Sequence, residues 1–382
     1  MPIALYALFA AAFAIGTAEF VIAGILPAVA GDLGISIPTA GLLVSIYALG
    51  VAVGGPVLAL FTGSISRKRL LVIYVAIFTA GHVLCAIAPN YPLLLLTRVA
   101  VSLIHGAFFG TAMVASTGLV TENKRGAAVA LVLAGLTVAN IVGVPVGTFI
   151  GSALGWRWTF WAVAALGALA LALLTVFVPM DRGVATAQGS LSREFRALGR
   201  EPVVTSLLII ISTTVGQFAI FTYISPLLTE VSELPADFVP LLLLLFGLGS
   251  TVGVLVGGRL ADWKLMPSLI GILAAQVVVY TLMALLVGSA IAMAVLVLCW
   301  AALSFAFGSP VQTRILNNAR DAPTLAANLI PSAFNVAIAA GAWLGGSMIE
   351  HGASYAVLPW LGVVGAVAAV TIAVTSSRLS RG

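Results

Sequence analysis

The sequence predicts an all-α membrane protein of twelve transmembrane helices in two pseudo-symmetric six-helix halves. Three observations carry that prediction. Of 382 residues, 62% are hydrophobic and 8% charged, which leaves too little polar surface to cover a water-soluble globule. Apolar runs of roughly 19 to 28 residues, each long enough to cross a bilayer, recur twelve times. Asn140, Gly151 and Gly167 return as Asn335, Gly346 and Gly362, each displaced by 195 residues, as in a chain built from two duplicated halves.

The first run, 4–29, is too long for a signal peptide and lacks a basic flank, so it is expected to stay as a helix. Runs at 38–62, 70–88, 92–119, 126–153 and 158–179 complete the first half, residues 1–180. A polar segment, 181–202, carries Arg182, Arg193, Glu194, Arg196 and Arg200 and reads as a linker with a short amphipathic helix. The second half, 203–382, repeats the pattern with runs at 203–228, 238–258, 268–287, 290–313, 325–348 and 355–375. Cys85 and Cys299 each fall inside an apolar run, where a thiol behaves as a small hydrophobe, so neither a disulfide nor a metal site is expected.

Orientation follows from the basic residues. Arg67, Lys68, Arg69, Lys124, Arg125, the linker arginines, Arg259, Lys264, Arg314, Arg320, Arg378 and Arg381 fall on one side of the twelve-span arrangement, and Arg157 on the other. The basic side is expected to be cytoplasmic, with both termini. The net charge of +5 therefore belongs to membrane topology and not to a nucleic-acid partner.

Glycine spacing marks close helix approaches. Gly143, Gly147, Gly151 and Gly155 recur every four residues, as do Gly249, Gly253 and Gly257, with Gly50/Gly54 and Gly341/Gly345 as further seams. Small residues at this spacing let backbones meet. They serve static packing or, alternatively, sliding contacts between the halves.

The charged residues at depth point to chemistry. Glu19 sits alone in an apolar run, and an unpaired carboxylate at membrane depth costs on the order of 3 kcal/mol on insertion scales, so it needs a partner, a proton or a watery cavity. Arg98, inside the fourth run, is the nominated counter-charge. Counting at 1.5 Å per residue puts Glu19 roughly 12 Å and Arg98 roughly 9 Å below the same outer surface. Glu19 is expected to take up a proton or a cation, with its separation from Arg98 governing release; a permanent structural pair is the alternative. Ser102 and His105 continue a polar stripe from Arg98 at i+4 and i+7. Free histidine titrates near neutrality, so His105 is read as a proton relay or else as a hydrogen-bonded packing residue. His82 and His351 rank lower.

In the second half, Thr213, Gln217, Phe221 and Ile224 share a face of span seven, and Trp300, Ser304, Phe307 and Val311 a face of span ten. Aromatic walls with few polar groups suit a largely apolar small molecule, and helix packing is the other reading. Asn140 and Asn335 are candidates to bond that molecule or to cap neighbouring helices, because an unpaired amide is costly there. Tyr223 and Asn328 stand behind them. The three lysines lie in no phosphate-loop context, and no metal-ligating cluster or serine elbow is present, so neither ATP, a cofactor nor an enzymatic activity is expected.

Three stretches carry a resemblance: Gly16-Thr17-Ala18-Glu19-Phe20, Arg98 to Gly110, and Ala139-Asn140-Ile141-Val142-Gly143-Val144-Pro145-Val146-Gly147. With twelve spans they resemble the major facilitator superfamily, and within it the drug:proton antiporters that include arabinose-efflux-like permeases and chloramphenicol exporters. Gly258-Arg259-Leu260-Ala261-Asp262 is similar to the family's cytoplasmic gating motif. Its first-half copy keeps Arg67 and Arg69 but has Gly63 in place of the aspartate. The resemblance implies spans one, four, seven and ten around a central cavity and gating by Arg67, Arg69, Asp262, Gly143, Pro145 and Gly147. It also implies a monomer in a bacterial inner membrane that exports a small, largely apolar, chloramphenicol-like molecule against protons by alternating access. A sugar or nucleoside exporter, a proton symporter and a facilitator are alternatives within transport; a membrane enzyme or lipid-handling protein is the alternative class.

Overall fold

A computed structural model describes residues 1–62, 64–180, 199–319 and 323–379, with the backbone alone at Leu60 and 323–328. Gly63, Arg182, Arg193, Glu194, Arg196, Arg320, Arg381 and the side chain of Asn328 lie outside what is described, so the linker helix and the first gating motif's glycine are left there. Secondary structure among the described residues is helical throughout, and twelve helices are long and apolar enough to cross a membrane.

They run as α1 (Ile3–Leu33), α2 (Ile37–Thr62), α3 (Arg67–Ala86), α4 (Tyr91–Gly118), α5 (Glu122–Leu154) and α6 (Trp156–Phe177). The second set is α7 (Glu201–Thr222), α8 (Ala236–Trp263), α9 (Leu265–Leu286), α10 (Ala290–Asn318), α11 (Pro323–Glu350) and α12 (Tyr355–Leu379). The helices gather into two compact units, Met1–Ser36 with Ile46–Thr186, and Ile37–Ser45 with Ala187–Gly382. Each unit has a core of its own. Leu5, Leu8, Tyr74, Phe78 and Phe108 centre the first, and Ile209, Leu269, Phe307 and Val311 the second.

Proline explains where the helices depart from the α form. Pro145 has no N–H to give the carbonyl four residues back, and its ring clashes there. The chain answers with a π turn at Ala139–Gly143 before α-helix resumes at Val144. Pro226 acts on α7 in the same way, ending it at Thr222, and a π turn follows at Leu227–Val231. In α10 the break falls at Phe307, three residues before Pro310.

The glycine seams lie inside the units. Side chains added at Gly143, Gly147 and Gly151 of α5 would run into Thr17, Val21 and Ile25 of α1, so the two helices zip together at four-residue intervals. Gly249, Gly253 and Gly257 of α8 meet the backbone of α10 at Leu298, Ala302 and Ala306, and Gly341 of α11 meets α7 at Val215. These seams are packing within a unit, and the alternative of sliding contacts between halves does not describe them. The 195-residue repeat also has a physical meaning. Gly151 faces α1 and Gly346 faces Tyr223 at the end of α7, while Gly167 of α6 packs on Phe78 of α3 and Gly362 of α12 on Tyr280 of α9.

Since the backbone of Ala302 already occupies the space where a side chain at Gly253 would go, Gly253→Val is expected to destabilise the protein by about 1–3 kcal/mol, as overpacking does. Gly271→Ala on α9, where an added methyl meets nothing within 4 Å, serves as the neutral control. Thermal unfolding of the two variants in detergent checks the contrast.

Candidate functional site

α1 offers two faces. One carries Thr17, Val21 and Ile25 into the α5 seam. Glu19, two residues from Thr17, therefore projects away from α5, and its carboxylate Oε2 lies 3.8 Å from Nε2 of His105 on α4. Glu19 is 12% exposed and His105 5%, so both sit inside the bundle and not on its surface.

Arg98 is fully buried on α4, seven residues and two turns before His105. Its Nη1 donates to the main-chain carbonyl of Ala18, 2.9 Å away, and its guanidinium carbon lies 3.9 Å from the centre of the Tyr47 ring on α2. Nε and Nη2 meet no acceptor among the described residues. The nominated Glu19–Arg98 pair is thus seen as near neighbours: Arg98 holds the carbonyl of the residue before Glu19, and among the described residues the basic group within 4 Å of the carboxylate is His105. Ser102 donates to the Val99 carbonyl of its own helix.

Tyr47 is the residue the sequence reading passes over. It is 2% exposed, stacks under Arg98, and its hydroxyl lies 3.1 Å from Nδ1 of His105. Tyrosine in an apolar helix carries no charge signal; its position one helix away from two ionisable residues is visible in three dimensions alone. His82 sits apart from this cluster. Its Nδ1 bonds the Phe78 carbonyl at 2.8 Å, and its ring packs on Phe78 and Phe160, which makes it a packing histidine. His351 is exposed and bonds the Ser347 carbonyl.

The polar residues of the second unit form a different kind of cluster. Trp300 of α10 donates its indole N–H to the Tyr280 hydroxyl of α9 at 3.1 Å, and Ser304 lies 3.5 Å from the same oxygen. Phe246 of α8 packs between Phe221 and Trp300, at 4.8 and 5.0 Å between ring centres. Phe221, Trp300 and Ser304 are therefore brought together through Phe246 and Tyr280, two residues sequence reasoning missed. Thr213 and Gln217 are buried on α7, and the Thr213 hydroxyl has no partner among the described residues. Phe307 is placed in the second unit's hydrophobic core, against Phe334 at 6.0 Å.

Asn140 and Asn335 behave alike. Each donates its side-chain amide to the carbonyl four residues back on its own helix, Leu136 at 3.2 Å and Pro331 at 3.0 Å. Of the gating candidates, Gly143, Pro145 and Gly147 are buried, the two glycines against α1, while Arg69 and Asp262 are exposed at helix ends and Arg67 is half-buried. Arg314, grouped above with the loop charges, lies within α10 and is 4% exposed. It donates to the hydroxyls of Thr205, Ser206 and Ser376, and Ser376 in turn donates to Glu201.

Twelve helices apolar enough to cross a membrane, with a carboxylate, a guanidinium and an imidazole held inside the first unit, define a polytopic membrane protein of the transporter class. The chain belongs to the Major Facilitator Superfamily, whose family model matches residues 8–330. It is 38% identical over 374 residues to the inner membrane transport protein YdhP of Escherichia coli strain K12, covering 98% of this chain and 96% of that one. It is 36% identical over 355 residues to a chloramphenicol resistance protein of Streptomyces lividans, covering 92% and 90%. The fold is also that of a crystallised bacterial homologue of the human lysosomal transporter Spinster, with a TM-score of 0.69 at 18% identity over 99% of this chain and 96% of the other. Family and fold are those of transporters and not of enzymes.

Tyr280→Phe leaves the Trp300 indole N–H buried without its acceptor, an expected cost of about 1–3 kcal/mol. In a Trp300→Phe background the same substitution is expected to cost far less. A double-mutant cycle on unfolding midpoints checks the coupling.

Proposed function

We propose that the chain is a proton-coupled exporter of a small, largely apolar molecule of the chloramphenicol type, working by alternating access in a bacterial inner membrane. The observation that carries this reading is the carboxylate of Glu19, enclosed in the first unit beside His105 with the buried Arg98 on the neighbouring peptide. A carboxylate so placed is a place to hold a proton inside the bundle, and a proton crossing the membrane contributes about 2.3 kcal/mol per 100 mV. The likeness to a chloramphenicol resistance protein supports the substrate class, and the likeness to an inner membrane transport protein supports the location.

In this reading the molecule enters from the cytoplasm or inner leaflet and rests against Thr213, Gln217, Phe221, Trp300 and Ser304, with Asn140 and Asn335 as further candidates to bond it. A proton reaching Glu19 from outside displaces it and leaves inward as the units rock back. Arg67, Arg69 and Asp262 gate the cytoplasmic side, where both termini lie, and Gly143, Pro145 and Gly147 keep α5 close to α1. One copy of the chain is the working unit.

Proteoliposomes with an internal pH dye test the reading. Under an imposed gradient, a phenicol is expected to move protons through the wild type and not through Glu19→Gln, with pentoses and nucleosides as comparison compounds. Phenicol transport without proton movement, or normal coupling in Glu19→Gln, sinks the proposal.

A further inference from the structure

Glu19, His105, Tyr47 and Arg98 form one contact chain, and the order of its links has a consequence for where the proton rests. The Tyr47 oxygen is buried, and among the described residues its hydrogen-bond partner is Nδ1 of His105, 3.1 Å away. Two arrangements of hydrogens fit that distance. If Nδ1 carried the hydrogen and donated to the phenol oxygen, the phenol O–H would have no acceptor. The bare lone pair of Nε2 would then face the Glu19 carboxylate at 3.8 Å. If the phenol donates to Nδ1, the phenol is satisfied and Nε2 carries a hydrogen that points at the carboxylate. Buried polar groups take the arrangement that leaves none unpaired.

We infer that Tyr47 is a positioning residue that fixes the tautomer of His105, so that His105 meets Glu19 as a hydrogen-bond donor through Nε2–H and not as a relay that accepts its proton. This rests on the reading of Glu19 as the proton carrier. Nε2 already holds its hydrogen and Nδ1 is occupied by the phenol, so the imidazole has no free site for a third party's proton. A proton arriving at the carboxylate forms an O–H bond on Glu19 and stays there. When it leaves, the Nε2–H bond closes on the bare carboxylate to ordinary hydrogen-bond length, about 3 Å.

The other groups around His105 come from each element packed against it. α1 brings Glu19, α2 brings Tyr47, and α4 itself brings Arg98 and the Phe109 ring, 5.2 Å from His105 between centres. From α3, Cys85 and His82 lie within electrostatic range of Arg98, and His82 is engaged with the Phe78 carbonyl. Arg98 is a fixed cation under the same Tyr47 ring, and a second cation on His105 would repel it.

Two measurements test this on the full-length protein. The first is nitrogen NMR of protein labelled at histidine, in lipid nanodiscs, with the His105 signals assigned by their loss in His105→Gln. The wild type is expected to show hydrogen on Nε2 and a bare Nδ1, and Tyr47→Phe, which keeps the ring under Arg98, is expected to raise the opposite tautomer several-fold. Hydrogen on Nδ1 in the wild type, or an unchanged tautomer in Tyr47→Phe, overturns the inference.

The second uses the proton-movement assay. His105→Ala is expected to lower coupled flux about tenfold, the scale of a hydrogen bond to a charged group. His105→Gln, which supplies an N–H near the place of Nε2–H but cannot titrate, is expected to rescue most of that loss, and Tyr47→Phe added to it to cost nothing more. A glutamine as poor as alanine means the ring must accept a proton, and the inference fails. If Tyr47→Phe does not fold, the wild-type spectrum and the glutamine–alanine comparison still decide. If the wild type moves no protons with any compound, the exporter reading fails, while the spectrum continues to judge Tyr47.

Discussion

An ionised side chain inside a bilayer has no water to turn to, and the way Arg98 meets that constraint organises the first unit. Its charge is met by a peptide carbonyl, that of Ala18, and by the face of Tyr47. Both are neutral, so the guanidinium is held without its charge being cancelled, and Glu19 beside it is not locked into a direct pair. Desolvating a charge costs several kcal/mol even after relaxation, and these contacts recover part of it by tying α4 to α1 and α2. The same contacts fix where Glu19 sits. α1 is gripped on one face by the glycine seam of α5 and on another by Arg98 at Ala18, so the carboxylate has little freedom of its own.

The prolines set a second constraint. Each removes a rung from a helix ladder, and with no water available the freed carbonyl must find another donor. Asn140, inside the π turn that Pro145 imposes, gives its amide to Leu136. Asn335, its repeat partner, gives its amide to Pro331 in α11. Neither carbonyl is the one a proline frees, which lies four residues before it at Ile141 and Ala327; each amide N–H is satisfied by a back-bond along its own helix.

Much of this was legible in the sequence because the bilayer makes it so. Span length follows from bilayer thickness, so all twelve helices could be counted from hydropathy. Glu19, Arg98 and His105 stand out because polar residues at depth are rare. Tyr47 and Tyr280 do not, since a tyrosine is apolar along most of its length and its hydroxyl matters only through the neighbour it finds. In the sequence Arg314 looks like a loop charge for a related reason. Gly308–Asn318 is rich in serine, glutamine, threonine and asparagine and looks like the end of a span, yet it continues α10 and buries Arg314 among hydroxyls of α7 and α12. Hydropathy averages over a helix and cannot see that one face is covered.

The seams also show how far the two units have diverged. Gly54 packs on Leu103 in the first unit and Gly253 on Ala302 in the second, which aligns α2 with α8 and α4 with α10 at a displacement of 199 residues. At that displacement Arg98 corresponds to Val297 and His105 to Ser304. The cation has been replaced by an aliphatic residue, and the imidazole by a hydroxyl. Ser304 nevertheless lies 3.5 Å from a buried tyrosine hydroxyl, that of Tyr280, as His105 lies 3.1 Å from that of Tyr47. The second tyrosine comes from α9 where the first comes from α2. The helix framework is therefore shared, while at these matched positions the charge belongs to the first unit alone, and Trp300, Tyr280 and Ser304 in the second form a hydrogen-bonded cluster of uncharged side chains.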